Sequence, residues 1–214
     1  MPRAIVPSER EYQTAIDCLR QGGIVAYPTE TFYGLAVDPE NHRAVAALYA
    51  LKKRAADKSL SLLVPDVTVL ACCVDTISTP HQRLIGLFWP GPLTIIFPAR
   101  KDFLPAVNGE KGDLAIRLSS HPVAARLCAL WGRPLTATSA NISGDVPAIT
   151  ASQVRNQWGQ ERVTVLDGGK VAGGLGSTIV QCRGGACYIL RAGAVSTEKI
   201  SSGLANKYKI IEES

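Results

Sequence analysis

The sequence predicts one α/β domain built on a twisted, mixed sheet with helices packed on it. Three observations carry this expectation. Apolar strand-like runs interleave with helical periodicities along the whole chain. No repeat, low-complexity stretch or linker-like shift in composition divides it. Two strand candidates near the end are joined only by Cys182-Arg-Gly-Gly-Ala186, a hairpin connection that parallel strands cannot use. At 214 residues the chain can bury a sizeable core. A single domain over 1–214 is expected, with its core at about 8–195 and a tail at 196–214.

In order, Ser8 and Glu11 stand at capping-box spacing, and Tyr12, Ala15, Ile16 and Leu19 follow at helical intervals. A first helix therefore reaches Gln21, where Gly22-Gly23 can end it, and the apolar run 24–27 behind it is a strand. Val45, Leu48 and Leu51 share one side of a helix over 42–53, and 60–64 is a short strand. Residues 79–88 read as helix, Trp89-Pro-Gly-Pro92 as a rigid turn and 93–97 as a strand. A polar loop over 99–113 precedes a strand at 114–118. Pro122 suits the first position of a helix that reaches Trp131 and stops at Gly132, ahead of a strand at 135–138. Thr150 and Gln153 stand in capping-box relation at the head of a helix to Trp158, and 163–166 is a strand. The hairpin pairs 178–181 with 187–191, and the tail beyond Ser196 is weakly helical.

Composition excludes several classes. The six cysteines (Cys18, Cys72, Cys73, Cys128, Cys182, Cys187) form no CxxC pair, and His42, His81 and His121 do not stand at metal-ligand spacing from them. They are expected to be reduced and mostly buried, with no metal site. The first twenty residues are charged throughout, which excludes a signal-peptide apolar region, and no run approaches the ~18 apolar residues of a membrane span. A cytoplasmic protein is expected. The formal charge of +5, from 23 basic and 18 acidic residues, is a mild bias toward anionic partners and equally suits a well-solvated surface.

Polar residues gather at strand ends in four places: Pro28-Thr-Glu-Thr31, the cations Lys52, Lys53, Arg54 and Lys58, Thr136-Ala-Thr-Ser-Ala-Asn141, and Gly173-Gly-Leu-Gly-Ser-Thr178. Ligands of open α/β sheets bind beyond strand ends, so convergence of the four would make one polar, cation-lined pocket. Each segment also has a plainer reading. The threonines can satisfy a local turn, the cations can be a solvated helix end, Ser139 and Asn141 can cap, and the glycines can be a flexible approach to the hairpin. Gly168-Gly-Lys-Val lacks the upstream glycine and following hydroxyl of a Walker loop and reads as a turn. No GxSxG elbow, HExxH or triad context is present, so an enzyme of this sequence would hold an anionic substrate with Lys and Arg rather than use a nucleophile.

The segments GGIVAYPTETFYGLAVD (22–38), ALKKR (50–54) with Lys58, FWPGPLTIIFPA (88–99), LAIRLSSHP (114–122), PLTATSANISG (134–144), GSTIV (176–180) and ILRAGAV (189–195) together resemble the YrdC-type family of threonylcarbamoyl-AMP synthases. The resemblance runs nearly the full length, in the short, TsaC-like form. It implies an open α/β fold with a basic concave face. It also implies a reaction in which L-threonine, bicarbonate and ATP give threonylcarbamoyl-AMP, pyrophosphate and water, for N6-threonylcarbamoyladenosine (t6A) in tRNA. The resemblance assigns Lys52 and Arg54 to catalysis, and Arg54, Lys58, Ser139, Asn141 and Arg191 to ATP. Thr31, Arg117 and Ser177 are assigned to L-threonine. Mg2+ is expected to arrive with ATP, and a TsaD-like transferase complex and tRNA are expected downstream. Glu30 has no role in this assignment.

Three positions depart from the common pattern: Ala55, Ser59 and Ala192 stand where proline is frequent. They remove backbone stiffening without removing a ligand group. Two further readings compete with the synthase. One is an RNA-binding or ribosome-maturation module that uses the same basic face, and the other is carbamoyl transfer to an acceptor other than threonine.

Overall fold

In the computed structural model, residues 5–55, 57–101, 103–104, 107, 112–205 and 207–213 are described. Much of the expected polar loop 99–113 lies outside them. The elements run α1 (Glu9–Arg20), β1 (Val25–Pro28), β2 (Tyr33–Ala36), α2 (His42–Lys52), β3 (Ser61–Leu63), α3 (Val67–Cys73), α4 (Thr79–Phe88), β4 (Leu93–Pro98), β5 (Asp113–Arg117), α5 (Pro122–Trp131), β6 (Leu135–Ser139), α6 (Ala151–Trp158), β7 (Thr164–Val165), β8 (Thr178–Arg183), β9 (Ala186–Arg191), α7 (Thr197–Gly203) and β10 (Lys209–Glu212). The ten strands form one sheet in the order β10-β9-β8-β4-β5-β3-β6-β2-β1-β7. Its pairings are mixed: β1 runs antiparallel to β2 and parallel to β7, and β4 antiparallel to β5 and parallel to β8.

Local chemistry explains most boundaries. Ser8 and Glu11 close the expected capping box on α1, and Thr150 and Gln153 close the one on α6. Gly132 ends α5 in the left-handed region. The peptide between Trp89 and Pro90 is cis. Three elements were not expected. Strand β2 is buried at every position, so its sequence carries no alternation to mark it as a strand. Helix α3 has only seven residues, too short for a periodic signal, and rests on the Asp66 cap. Strand β10 exists only by pairing with the edge strand β9, and the tail is tied down further by buried Ile200 and Leu204.

The expectation of six reduced cysteines is corrected. Cys182 and Cys187 face one another in the β8–β9 register, with Cα atoms 4.2 Å apart, and form a disulfide. A hairpin brings together residues whose separation of five in sequence suggests no pairing motif. The other four are free, with Cys73 and Cys128 buried and Cys72 exposed.

Period-two alternation divides the sheet into a packed face and a partly open one. Leu62, Ile95, Phe97, Leu114 and Ile116 enter the large core beneath α2, α3, α4, α6 and α7. On the opposite face, α1 and α5 supply Tyr12, Ile16, Leu19, Leu127 and Trp131, which pack against Val25, Tyr27 and Leu135 at one end. The alternate residues Ser61, Thr94, Ile96, Ala115 and Arg117 project from the same strands into a cavity. No helix of the described residues is long and apolar enough to cross a membrane.

His81 lies in the large core, 3% exposed, its ring 4.6 Å from Phe97 and its Nδ1 within bonding distance of Ser78. Burial pulls its pKa down to about 4. The folded pKa lies below that of the unfolded chain, so stability from neutral His81 is present above about pH 6.5 and is lost as pH falls through 4. The expected loss is at most about 3 kcal/mol. Urea midpoints measured from pH 7 to 4 should show it, and His81→Gln should flatten that slope. An unchanged slope would place the acid sensitivity elsewhere.

Candidate active site

The cavity holds about 470 Å3 and is walled by strands β1 to β6, β8 and β9 with their connecting loops. Thr31, Arg54, Arg117, Ser139, Ser177 and Arg191 all line it. All four polar segments singled out in the sequence thus contribute to one pocket. Lys52, Lys58 and Asn141 do not line it.

The β1–β2 turn presents Thr31. Thr29 N donates to Phe32 O at 3.1 Å and closes the hairpin, while Thr29 Oγ1 donates to the same carbonyl at 2.7 Å and accepts from Thr31 N at 3.2 Å. The threonine hydroxyls are therefore partly spent on the turn, yet Thr29 and Thr31 both reach the cavity wall. Gly34 on β2 is required by close approach: a Cβ there would lie 2.9 Å from the Tyr27 ring.

At the end of β5, Arg117 is 8% exposed and donates through Nη2 to Glu30 Oε2 at 2.9 Å. Ser119 Oγ donates to the same carboxylate oxygen at 2.6 Å. Glu30 thus has a structural assignment that the sequence did not suggest. Its partners lie 87 and 89 positions away, and only the sheet brings them together. Three atoms here, Tyr27 Oη, Glu30 Oε1 and Arg117 Nε, are buried without a hydrogen-bond partner.

Ser177 and Arg191 form the β8–β9 side. Arg191 donates to Ser177 O from Nη2 at 2.7 Å and from Nε at 3.2 Å, and Ser177 Oγ lies 2.8 Å from Thr94 Oγ1. Gly193 allows this packing, because a Cβ there would collide with the Gly176 carbonyl. Ala192, which replaces a frequent proline, lines the cavity beside it.

The helix end at α2 is organised differently from expectation. Lys52 is 1% exposed, and its ammonium donates to Ser139 O at 2.5 Å and Asn141 O at 2.8 Å, with Asn141 Oδ1 at 3.4 Å. Its own carbonyl accepts from Ser143 N at 2.8 Å. Burial, and then the Arg54 charge, pull its pKa down to about 8, so it is still cationic at neutral pH. Lys52, which the resemblance assigns to catalysis, clamps the β6 loop from behind in this structure. Asn141 belongs to the same clamp, since its Nδ2 donates to Ile142 O and Asp145 O, each at 2.8 Å, and its Oδ1 accepts from Ser139 Oγ at 2.6 Å. Arg54 does reach the cavity, braced by the carbonyls of Lys58 at 3.2 Å and Ser59 at 2.8 Å. Lys58 itself is exposed. Among the described residues no group of three or more His, Cys, Asp and Glu gathers at metal-ligand range.

Comparison with known proteins places this geometry. The Sua5_yciO_yrdC family, described as "Telomere recombination", matches residues 17–193. A threonylcarbamoyl-AMP synthase of Photobacterium profundum is 37% identical over 158 residues, covering 73% of this chain and 85% of that protein. One of Serratia proteamaculans is 40% identical over 146 residues, covering 67% and 77%. Among solved structures, P. abyssi Sua5 complexed with L-threonine superposes with a TM-score of 0.88 at 30% identity, over 95% of this chain. This chain spans 59% of that Sua5 chain. E. coli YciO, at 20% identity and a TM-score of 0.80 over 92% of this chain and 96% of its own, shares the fold.

Proposed function

Because the chain belongs to the Sua5/YciO/YrdC family, we propose that it is a threonylcarbamoyl-AMP synthase, making the adenylate from L-threonine, bicarbonate and ATP. The observation that carries this reading is the convergence on one cavity of two residue sets. Thr31, Arg117 and Ser177 suit an amino acid, and Arg54, Ser139 and Arg191 suit a nucleotide.

The chemistry asks for positioning. The amine of threonine adds to the carbon of bicarbonate with loss of water, and a carbamate oxygen then attacks the α-phosphorus as pyrophosphate leaves. Both steps gather negative charge, so cationic and amide donors fixed in a walled cavity supply what is needed, and no protein nucleophile is required. Arg117 holds the threonine carboxylate, for which guanidinium geometry is suited. Thr31 and Ser177 address the amino and hydroxyl groups. A bond to the hydroxyl lets the site reject valine strongly, whereas serine lacks only a methyl worth about 1–3 kcal/mol.

Arg54 and Arg191 take the phosphates, with Ser139 on the nucleotide. Lys58, exposed beside the lining residue Ser59, is left for the terminal phosphates and the Mg2+ complex that ATP brings. Lys52 and Asn141 act through the loop that they hold. The adenylate serves a TsaD-like transferase that acts on tRNA, and the cytoplasm is where these substrates meet.

Pyrophosphate release from ATP, with threonine and bicarbonate each omitted in turn, tests the reading. Release is expected to fall to background in both omissions. Release without threonine would favour another carbamoyl acceptor, and tight, salt-sensitive tRNA binding with no release at all would favour an RNA-binding module.

A further inference from the structure

We propose that Glu30 sorts the two anionic substrates. Paired with Arg117, it makes that end of the cavity electrically neutral, fit for the carboxylate of a zwitterionic amino acid and unfit for a polyphosphate. The inference rests on the synthase reading and adds a specificity-determining residue to it.

Three arginines, Arg54, Arg117 and Arg191, line the cavity, and they are not alike electrically. Arg54 is braced by the carbonyls of Lys58 and Ser59, and Arg191 by Ser177. Among the described residues neither pairs with a carboxylate, so each keeps its full charge for a ligand. Arg117 pairs with Glu30 at 2.9 Å, with side chains only 10% and 16% exposed. Burial first, and then the nearby Arg117 charge, lower the Arg191 pKa. Without Glu30 these two arginines would form a dication, which is a polyphosphate site by charge.

Glu30 is also held in place. Its Oε2 takes the hydroxyl of Ser119 as well as Arg117, and Ser119 Oγ accepts from His121 N at 3.2 Å, at the head of α5. The buried atoms without partners at this corner are the donor Arg117 Nε, the hydroxyl of Tyr27 and the anionic acceptor Glu30 Oε1. Glu30 itself does not line the cavity, so it acts through the charge it sets behind Arg117, which does. A carboxylate carried by a zwitterion suits that neutral pair, whereas a polyphosphate needs the uncompensated cations at the other end.

The test uses the full chain, inorganic tripolyphosphate as probe, and adenylate formation read by chromatography. In the wild type, tripolyphosphate should compete with ATP and not with threonine. In Glu30→Gln it should compete with threonine as well, with a threonine KM about tenfold higher, an ATP KM within about twofold, and little change in kcat. Glu30→Asp retains the charge and should restore the wild-type inhibition pattern. A folded Glu30→Gln enzyme in which tripolyphosphate still competes with ATP alone would overturn the proposal.

Should the glutamine variant not fold, Ser119→Ala decides. It loosens the carboxylate but keeps its charge, so threonine KM should rise about threefold with no competition between tripolyphosphate and threonine. Such competition in Ser119→Ala would overturn charge sorting. Loss of threonine-dependent product from the wild type would instead remove the synthase reading, a separate outcome.

Discussion

Lys52→Met is expected to lower stability by about 3 kcal/mol and to remove adenylate formation, two effects with one cause. Methionine fills the volume without a donor, leaving Ser139 O and Asn141 O buried without the ammonium that now sits 2.5 and 2.8 Å away. Asn141 O is orphaned at a cost of about 1–3 kcal/mol, while Ser139 O keeps Asn141 N at 3.0 Å and loses a charged donor worth about as much. Asn141 Oδ1 keeps the Ser139 hydroxyl at 2.6 Å, so it adds little. The melting temperature should fall by about 6–12 °C for a chain of this length. Activity should fall with it because Ser139 lines the cavity on the released loop.

Arg54→Ala supplies the contrast. That side chain braces carbonyls at the cavity edge, so its loss should leave stability within about 1 kcal/mol while activity falls at least about a hundredfold. Urea unfolding and pyrophosphate release on both variants check the pair of statements. An inactive Lys52→Met enzyme of unchanged stability would mean that the ammonium meets substrate directly.

Arg117→Ala should be the costliest substitution at the threonine end. It leaves the Glu30 carboxylate, whose side chain is 16% exposed, with only the Ser119 hydroxyl as partner. Removing one member of a buried pair costs about 3–5 kcal/mol. On the proposed assignment of Arg117 to the threonine carboxylate, threonine KM should rise at least about a hundredfold.

The two losses separate in the double variant Arg117→Ala with Glu30→Gln. The stranded charge is gone, so most of the stability should return, while threonine binding should not. A double variant no more stable than Arg117→Ala alone would show that the cost lies in lost packing rather than in an unpaired charge.

The legibility of the fold differed by element. Helices with caps written in adjacent residues, such as Ser8 with Glu11 and Thr150 with Gln153, were placed within a residue of their ends. Strands β4 and β5 were found from their apolar runs. What escaped was structure that owes its existence to a distant partner. Strand β10 is a strand because β9 offers an edge, and the Cys182–Cys187 bond forms because the hairpin register sets the two opposite each other.

The site divides along the same line. The residues that touch the cavity, Thr31, Arg54, Arg117, Ser139, Ser177 and Arg191, were named from four polar segments and their resemblance to a family, because ligand chemistry is carried by residue type at strand ends. Their partners were not. Glu30 reads as one more polar residue in a turn until the sheet places it against Arg117, 87 positions away. Lys52 reads as one cation among four until the end of α2 buries it behind the β6 loop.

The sequence by itself determined the mixed α/β architecture through local periodicity, and the resemblance of its motifs gave the family and named six residues that meet at the cavity. Only the tertiary structure decided which charges stand free and which are already spent. A side chain's electrostatic role depends on what lies within a few ångströms of it, and here those neighbours come from strands far apart in the chain.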